Sequence, residues 1–208
     1  MNRTLIKMCG MRRMEDIEAV NELRPEYIGF VFFAGSKRYV TPETAAELRK
    51  ALLPDIRAVG VCVDAPPEDA ARWLNSGMID IAQLHGHEDE AYIARLRQLT
   101  DRPLIQAFRI RSEEDALKAQ QSSADGILLD AGAGDGKTFD WGWLKEVSRP
   151  YFLAGGLNPE NVSRAVREVK PFAVDVSSGI ETDGFKDIRK MRAFIRAVRA
   201  TEDAEVTV

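Results

Sequence analysis

Leu5–Gly10, LIKMCG, and Gly126–Asp130, GILLD, are the two stretches whose reading decides the fold. Each is a short apolar run that closes on a reactive side chain, Cys9 in the first and Asp130 in the second. Runs of the same kind begin near Ile28, Val59, Ile81, Ile105, Phe152 and Val174, so eight of them follow one another at spacings of 22 to 31 residues. A strand with its crossover helix takes about 20 to 30 residues in a parallel unit. The pattern therefore predicts an α/β chain folded as one (β/α)8 TIM barrel with a closed, parallel, eight-stranded sheet. In such a sheet a thiol and a carboxyl from distant parts of the chain face one cavity, which is an acid/base site.

The chain has 208 residues, 45% of them hydrophobic and 30% charged, which is enough to bury a full core but lies near the lower limit for eight units. The expected organisation is a barrel over residues 1–200 and a frayed tail from Thr201, TEDAEVTV, with no second domain. A formal net charge of -4 argues against nucleic acid as a partner, because polyanion binders concentrate basic surface. No stretch approaches the roughly 20 apolar residues of a membrane span, and MNRTLIKMCG does not read as a signal peptide. The expectation is a cytoplasmic protein. Cys9 and Cys62 belong to strands one and three, which are not neighbours, so both are expected as free thiols, Cys62 in the core.

Helices fit between the runs. Ile17, Val20 and Leu23 share one face of a first helix, and Thr41 with Pro42 gives a capping hydroxyl and a first-turn proline to a second that runs towards Leu53. Pro66 and Pro67 open a third, and Glu88 to Leu99 makes a fourth. The polar segment RSEEDALKAQQSSAD, 111–125, reads as a short helix or an irregular loop, with a short helix preferred. Asn158 and Pro159 repeat the cap-plus-proline signal for helix seven. Ile188, Met191, Ile195 and Val198 give the last helix its apolar stripe.

Loops at the carboxyl ends of barrel strands build active sites. Here those ends carry Cys9, Ser36 and Arg38, Asp64, His85, Arg109, Asp130, Gly155 with Gly156, and Ser177 to Gly179. Strands seven and eight end in AGG and SSG, small residues whose backbone N–H groups can approach an oxyanion. Gly155, Gly156, Ser178 and Gly179 are thus a phosphate corner, with a helix expected to start behind them at Asn158.

The segments KMCG, GFVFFAGSKRYV, QLHG, ILLDAGAGDGKTFDW, LAGGLNPENV and VDVSSGIE closely resemble the phosphoribosylanthranilate isomerase family, in that family's order from Lys7 to Glu181. The resemblance implies an enzyme of tryptophan biosynthesis that performs an Amadori rearrangement on a sugar-phosphate substrate. It implies Asp130 as general acid, Cys9 as general base, Arg38 on the anthranilate carboxylate, and neither a metal nor an organic cofactor. His85 and Asp175 are further expected substrate contacts. Asp135 stands in the loop AGAGDGKTF where the family more usually carries a small hydroxyl residue, and a carboxylate there would repel phosphate. The phosphate assignment therefore rests on Gly155 and Ser178, with Gly136 secondary. Histidine-pathway sugar isomerases share the phosphate corner but typically place aspartate where this chain has Cys9, and a non-catalytic binding barrel would not need both Cys9 and Asp130. Monomer and homodimer both remain open.

The reaction wants a carboxylic acid beside a thiolate, the reverse of what the ordinary values near 3.9 and 8.5 favour, an inversion worth about 6 kcal/mol. The residues suggest that Lys7 lowers Cys9 while the substrate's carboxylate and desolvation raise Asp130. Strand alternation puts Lys7 inside the barrel with Cys9, where an unpaired ammonium is costly, and Asp175 on the neighbouring strand eight is its expected partner. Arg109 is expected to support the site rather than to touch substrate.

Overall fold

Alternation of inward and outward residues along the eight runs produces eight strands in the computed structural model, which describes residues 3–131 and 138–205. These are β1 (Leu5–Cys9), β2 (Tyr27–Val31), β3 (Arg57–Cys62), β4 (Ile81–Leu84), β5 (Leu104–Arg109), β6 (Gly126–Asp130), β7 (Tyr151–Leu153) and β8 (Ala173–Val176). They close in sequence order into one barrel, all parallel, with β8 returning to β1. Closure sets Lys7 directly opposite Asp175 on β8.

The predicted helices form as α1 (Met14–Leu23), α2 (Pro42–Ala51), α3 (Pro67–Asn75), α4 (Glu90–Arg97), α5 (Glu113–Ala119), α6 (Val162–Val169) and α7 (Ile188–Glu205). Thr41 caps α2 by accepting from the Thr44 N–H at 3.2 Å, with Pro42 in the first turn as read. The short-helix reading of 111–125 is correct, because Ser112 accepts from the Asp115 N–H and Ala116 and Ala119 are buried.

Three local readings differ. Asn158 does not cap a helix; its Oδ1 accepts the N–H groups of Glu160 and Asn161, closing a turn one step earlier, and α6 starts at Val162. Between β6 and β7 the described residues form a single 3-10 turn, Trp141–Leu144, with Asp140 accepting from the Gly142 N–H. The last helix runs past Thr201, where the sequence predicts fraying to begin. Thr201 is buried and donates to the Val198 carbonyl, so it belongs to the packed face of α7.

Two cores result. The larger lies between sheet and helices and takes the outward residues, such as Ile6, Met8, Ile28, Phe30 and Cys62. The barrel interior is closed at its amino-terminal end by Tyr27, Val59, Ile105, Leu128 and Phe152, with the Tyr27 and Phe152 rings edge to face at 5.5 Å. Nearer the carboxyl ends, Cys9, Val31 and Val61 form a smaller layer. Lys7, in register with Tyr27, is the buried charge held within this interior.

Candidate active site

The cavity above these layers, about 240 Å³, is lined by Cys9, Arg38, His85, Asp130 and Asp175, by Gly155, Gly156 and Ser178, and by the apolar side chains of Val31, Phe33, Val61 and Val63. The two reactive strand ends thus meet over one hollow. A larger cavity of about 830 Å³ opens at the opposite, amino-terminal end beside Tyr151 and Phe172. It contains none of these groups, and catalytic chemistry in this fold resides at the carboxyl ends.

Cys9 is almost fully buried. Its side chain sits where Gly29 on β2 has none, since a Cβ at position 29 would lie 2.6 Å from the thiol sulfur. Gly29→Ala is therefore expected to displace the thiol and lower kcat by on the order of a hundredfold, as a misplacement of about 1 Å can. Turnover measured alongside a thermal melt checks this, and a fully active, normally folded variant would contradict it.

Lys7 is wholly enclosed, and its Nζ donates to Asp175 Oδ2 at 2.9 Å, the pairing expected from alternation. Burial opposes its charge, but Asp175 and Cys9 outweigh that, and the Lys7 pKa lies above its ordinary value. Asp175 Oδ1 is buried and has no hydrogen-bond partner among the described residues. Lys7 pulls the Cys9 pKa down as expected, but not below its ordinary value. Burial pushes the thiol up, and the opposing pull of Lys7 and of a second ammonium, Lys186, does not overcome it.

Lys186 follows β8 on a short hairpin of β9 (Glu181–Thr182) and β10 (Phe185–Lys186). Its Nζ donates to the Ser177 carbonyl at 3.0 Å and to Glu181 Oε1 at 2.7 Å, while the Ser177 hydroxyl donates to the Cys9 carbonyl at 3.0 Å. Desolvation lowers the Lys186 pKa although Glu181 works against that. Glu181 also accepts from Arg38 Nε and Nη2, both at 2.7 Å. Burial would raise the Glu181 carboxyl, but Arg38 and Lys186 hold it below its usual range, and the bond to Glu181 in turn raises Arg38. One planar fork of Arg38 is thus occupied, and its remaining N–H groups are those that can meet a ligand carboxylate.

His85 places Nε2 3.5 Å from Asp130 Oδ2, and its Nδ1 lies 2.8 Å from Gln83 Nε2. Gly155, with φ of 89°, lies so close to the backbone nitrogen of Ala131 and to Asp130 Oδ1 that a Cβ has no room there. Backbone N–H groups at this corner can therefore approach a ligand without interference from side chains. Gly179 does not line the cavity; it lets the turn after β8 pack on the Leu157 carbonyl. Arg109, exposed beside Asp130 in register, also stays off the lining. Gly136 and Asp135 lie outside the described residues.

Sequence reasoning missed three side chains, Gln83, Glu181 and Lys186. Gln83 was accessible, because it sits two residues before His85 and alternation turns both inward. Glu181 and Lys186 carried no such signal, since the hairpin that folds them back over β1 has no apolar periodicity.

A family model described as N-(5'phosphoribosyl)anthranilate (PRA) isomerase matches residues 6–197. The N-(5'-phosphoribosyl)anthranilate isomerase of Thermoanaerobacter sp. (strain X514) is 44% identical, over 93% of this chain and 97% of that protein. The crystal structure of phosphoribosyl anthranilate isomerase from Thermotoga maritima aligns with a TM-score of 0.87 at 36% identity, covering 95% of this chain and 99% of that one. A further phosphoribosyl anthranilate isomerase structure, in complex with reduced 1-(o-carboxyphenylamino)-1-deoxyribulose 5-phosphate, aligns with a TM-score of 0.85 at 35% identity over 95% of this chain and 99% of that one.

Proposed function

The chain belongs to the N-(5'-phosphoribosyl)anthranilate isomerase family, and from that premise we propose that Cys9 is the general base and Asp130 the general acid of its reaction. That reaction, a step of tryptophan biosynthesis, is the Amadori rearrangement of N-(5'-phosphoribosyl)anthranilate to 1-(2-carboxyphenylamino)-1-deoxyribulose 5-phosphate. The observation that carries the assignment is the single cavity lined by both side chains together with Arg38 and the glycine corner.

Asp130 protonates the ribose ring oxygen, and the C1–O bond breaks as the anilino nitrogen lends its lone pair, leaving an open-chain Schiff base. Cys9 then removes the C2 proton, the electrons flow to nitrogen, and an enolamine results. Transfer of a proton to C1 and loss of the C2 hydroxyl proton give the ketone, so the atoms balance within one molecule. Arg38 meets the anthranilate carboxylate through the N–H groups that Glu181 leaves to it. The backbone N–H groups of Gly155, Gly156 and Ser178 receive the phosphate, with Gly179 shaping the turn. Asp175 Oδ1, buried and lining the cavity, accepts from a substrate hydroxyl.

Burial of Cys9 widens the gap that the working protonation state must cross in the free enzyme. The substrate helps to close it, since seating an anionic anthranilate near Asp130 and excluding water both favour the protonated acid. Turnover of purified protein with phosphoribosylanthranilate, followed by loss of substrate fluorescence and identification of the ketose product, tests the proposal. Binding without turnover would sink it.

The active form holds one proton across the pair, on Asp130 rather than on Cys9. It is populated as a constant fraction between the two pKa values, so kcat/KM rises as the carboxyl titrates and falls only as the thiol does. With Cys9 raised by burial, the alkaline fall is expected above the ordinary thiol value of about 8.5. A fall in kcat/KM near neutrality would contradict the assignment of Cys9.

A further inference from the structure

Gln83 and His85 face the cavity from the end of β4, two residues apart. The Gln83 amide nitrogen lies 2.8 Å from His85 Nδ1. An amide nitrogen only donates, so Nδ1 must offer its lone pair, and the single proton of a neutral imidazole then sits on Nε2. Nε2 is the atom that faces Asp130 Oδ2, at 3.5 Å. The opposite arrangement, with the amide carbonyl towards Nδ1, would put the ring proton on Nδ1 and set the Nε2 lone pair against the carboxylate. With Asp130 ionised, only the observed order gives each facing pair one donor and one acceptor; with Asp130 protonated, it is the order in which His85 does not take up the acid's own O–H. Gln83 is 1% exposed, its Oε1 is buried without a partner among the described residues, and the His85 backbone N–H is tied to the Cys62 carbonyl at 2.8 Å. The amide is therefore sequestered from bulk solvent, and no other described side chain contacts Nδ1 in its place.

We propose that Gln83 is a positioning residue for the rearrangement: it fixes His85 in the Nε2–H form, so that the imidazole donates to Asp130 and holds the acid's carboxyl in one orientation while the sugar ring opens. This rests on the reading of Asp130 as the acid. The separation of 3.5 Å is long for a hydrogen bond, and such contacts commonly tighten once substrate is bound.

Nitrogen-15 spectra of the histidine rings test the proposal. The chain has two histidines, and His87→Gln identifies the signals of the exposed one. In the otherwise unaltered protein at neutral to mildly alkaline pH, His85 is expected to show an unprotonated Nδ1 and a protonated Nε2. Gln83→Leu removes the donor, and Gln83→Glu replaces it by an acceptor that favours the proton on Nδ1. Both variants are expected to lose the pure Nε2–H signature and to lower kcat about tenfold, short of the loss of about 10²–10⁴ that removing a general acid causes, with KM within about twofold. A wild-type His85 carrying its proton on Nδ1 overturns the proposal whether or not either variant folds. A variant that changes tautomer at unchanged kcat overturns it too, as does one that loses kcat with the wild-type tautomer intact. Failure of the acid assignment is separate: Asp130→Asn at full activity would remove it and leave the spectra untouched.

Discussion

Asp130→Asn and Cys9→Ala are each expected to lower kcat by about 10²–10⁴, the range typical of removing a positioned proton donor or acceptor, with much smaller changes in KM. The two variants interrupt different steps. Asparagine at 130 keeps the shape and polarity of the carboxyl but cannot deliver a proton to the ring oxygen, so ring opening stalls and the substrate remains cyclic. Alanine at 9 leaves ring opening intact and removes the group that takes the C2 proton, so solvent exchange at C2 should vanish together with product. Both variants should fold. Asp130 is only partly buried at the cavity rim, and the Cys9 cavity created by alanine is small beside the packed layer of Val31 and Val61. Combining the two substitutions should cost less than the sum of the single losses, because each already breaks the same sequence of proton transfers. Product formed at unchanged rates in either single variant would end the assignment of roles.

Lys7→Met is expected to lower stability by about 3–5 kcal/mol, because it strips the partner from a carboxylate held inside the barrel. Lys7 is fully enclosed and the Asp175 side chain is 9% exposed, so solvent cannot take over the bond of 2.9 Å that joins them. For a chain of this size about 2–4 °C accompanies each kcal/mol, so a fall in Tm of roughly 6–20 °C follows. Pairing the change with Asp175→Leu should restore much of that loss, since removing both charges leaves no uncompensated ion. If the single variant melts with the parent, the pair does not carry the stability assigned to it. Below its melting temperature, Lys7→Met also reports on chemistry: loss of an ammonium that pulls the thiol down should reduce kcat, and unchanged turnover would leave the lysine a structural role alone.

The strands were legible because a parallel barrel repeats one unit, and apolar runs at regular spacing report that unit directly. The facing of Lys7 and Asp175 was legible as well, since a period of two together with ring closure leaves an interior lysine few places to find a carboxylate. Asn158 misled because the side chain that caps a helix also closes an isolated turn, and nothing local separates the two. Glu181 and Lys186 were illegible because two-residue strands have no period to read.

The amino-acid order alone determined that eight strands alternate with helix-length segments and that a thiol, a carboxyl and a glycine-rich corner stand at the carboxyl ends, since side-chain period and strand length are properties of the local chain. Only the closed barrel decided how those groups behave together. It buries Cys9 until desolvation outweighs two nearby ammonium ions, commits part of Arg38 to Glu181, and turns one nitrogen of His85 to Gln83 and the other towards Asp130. Charge, hydration and hydrogen-bond direction depend on what lies within a few ångströms in space, and chain order says little about those neighbours until the sheet has closed.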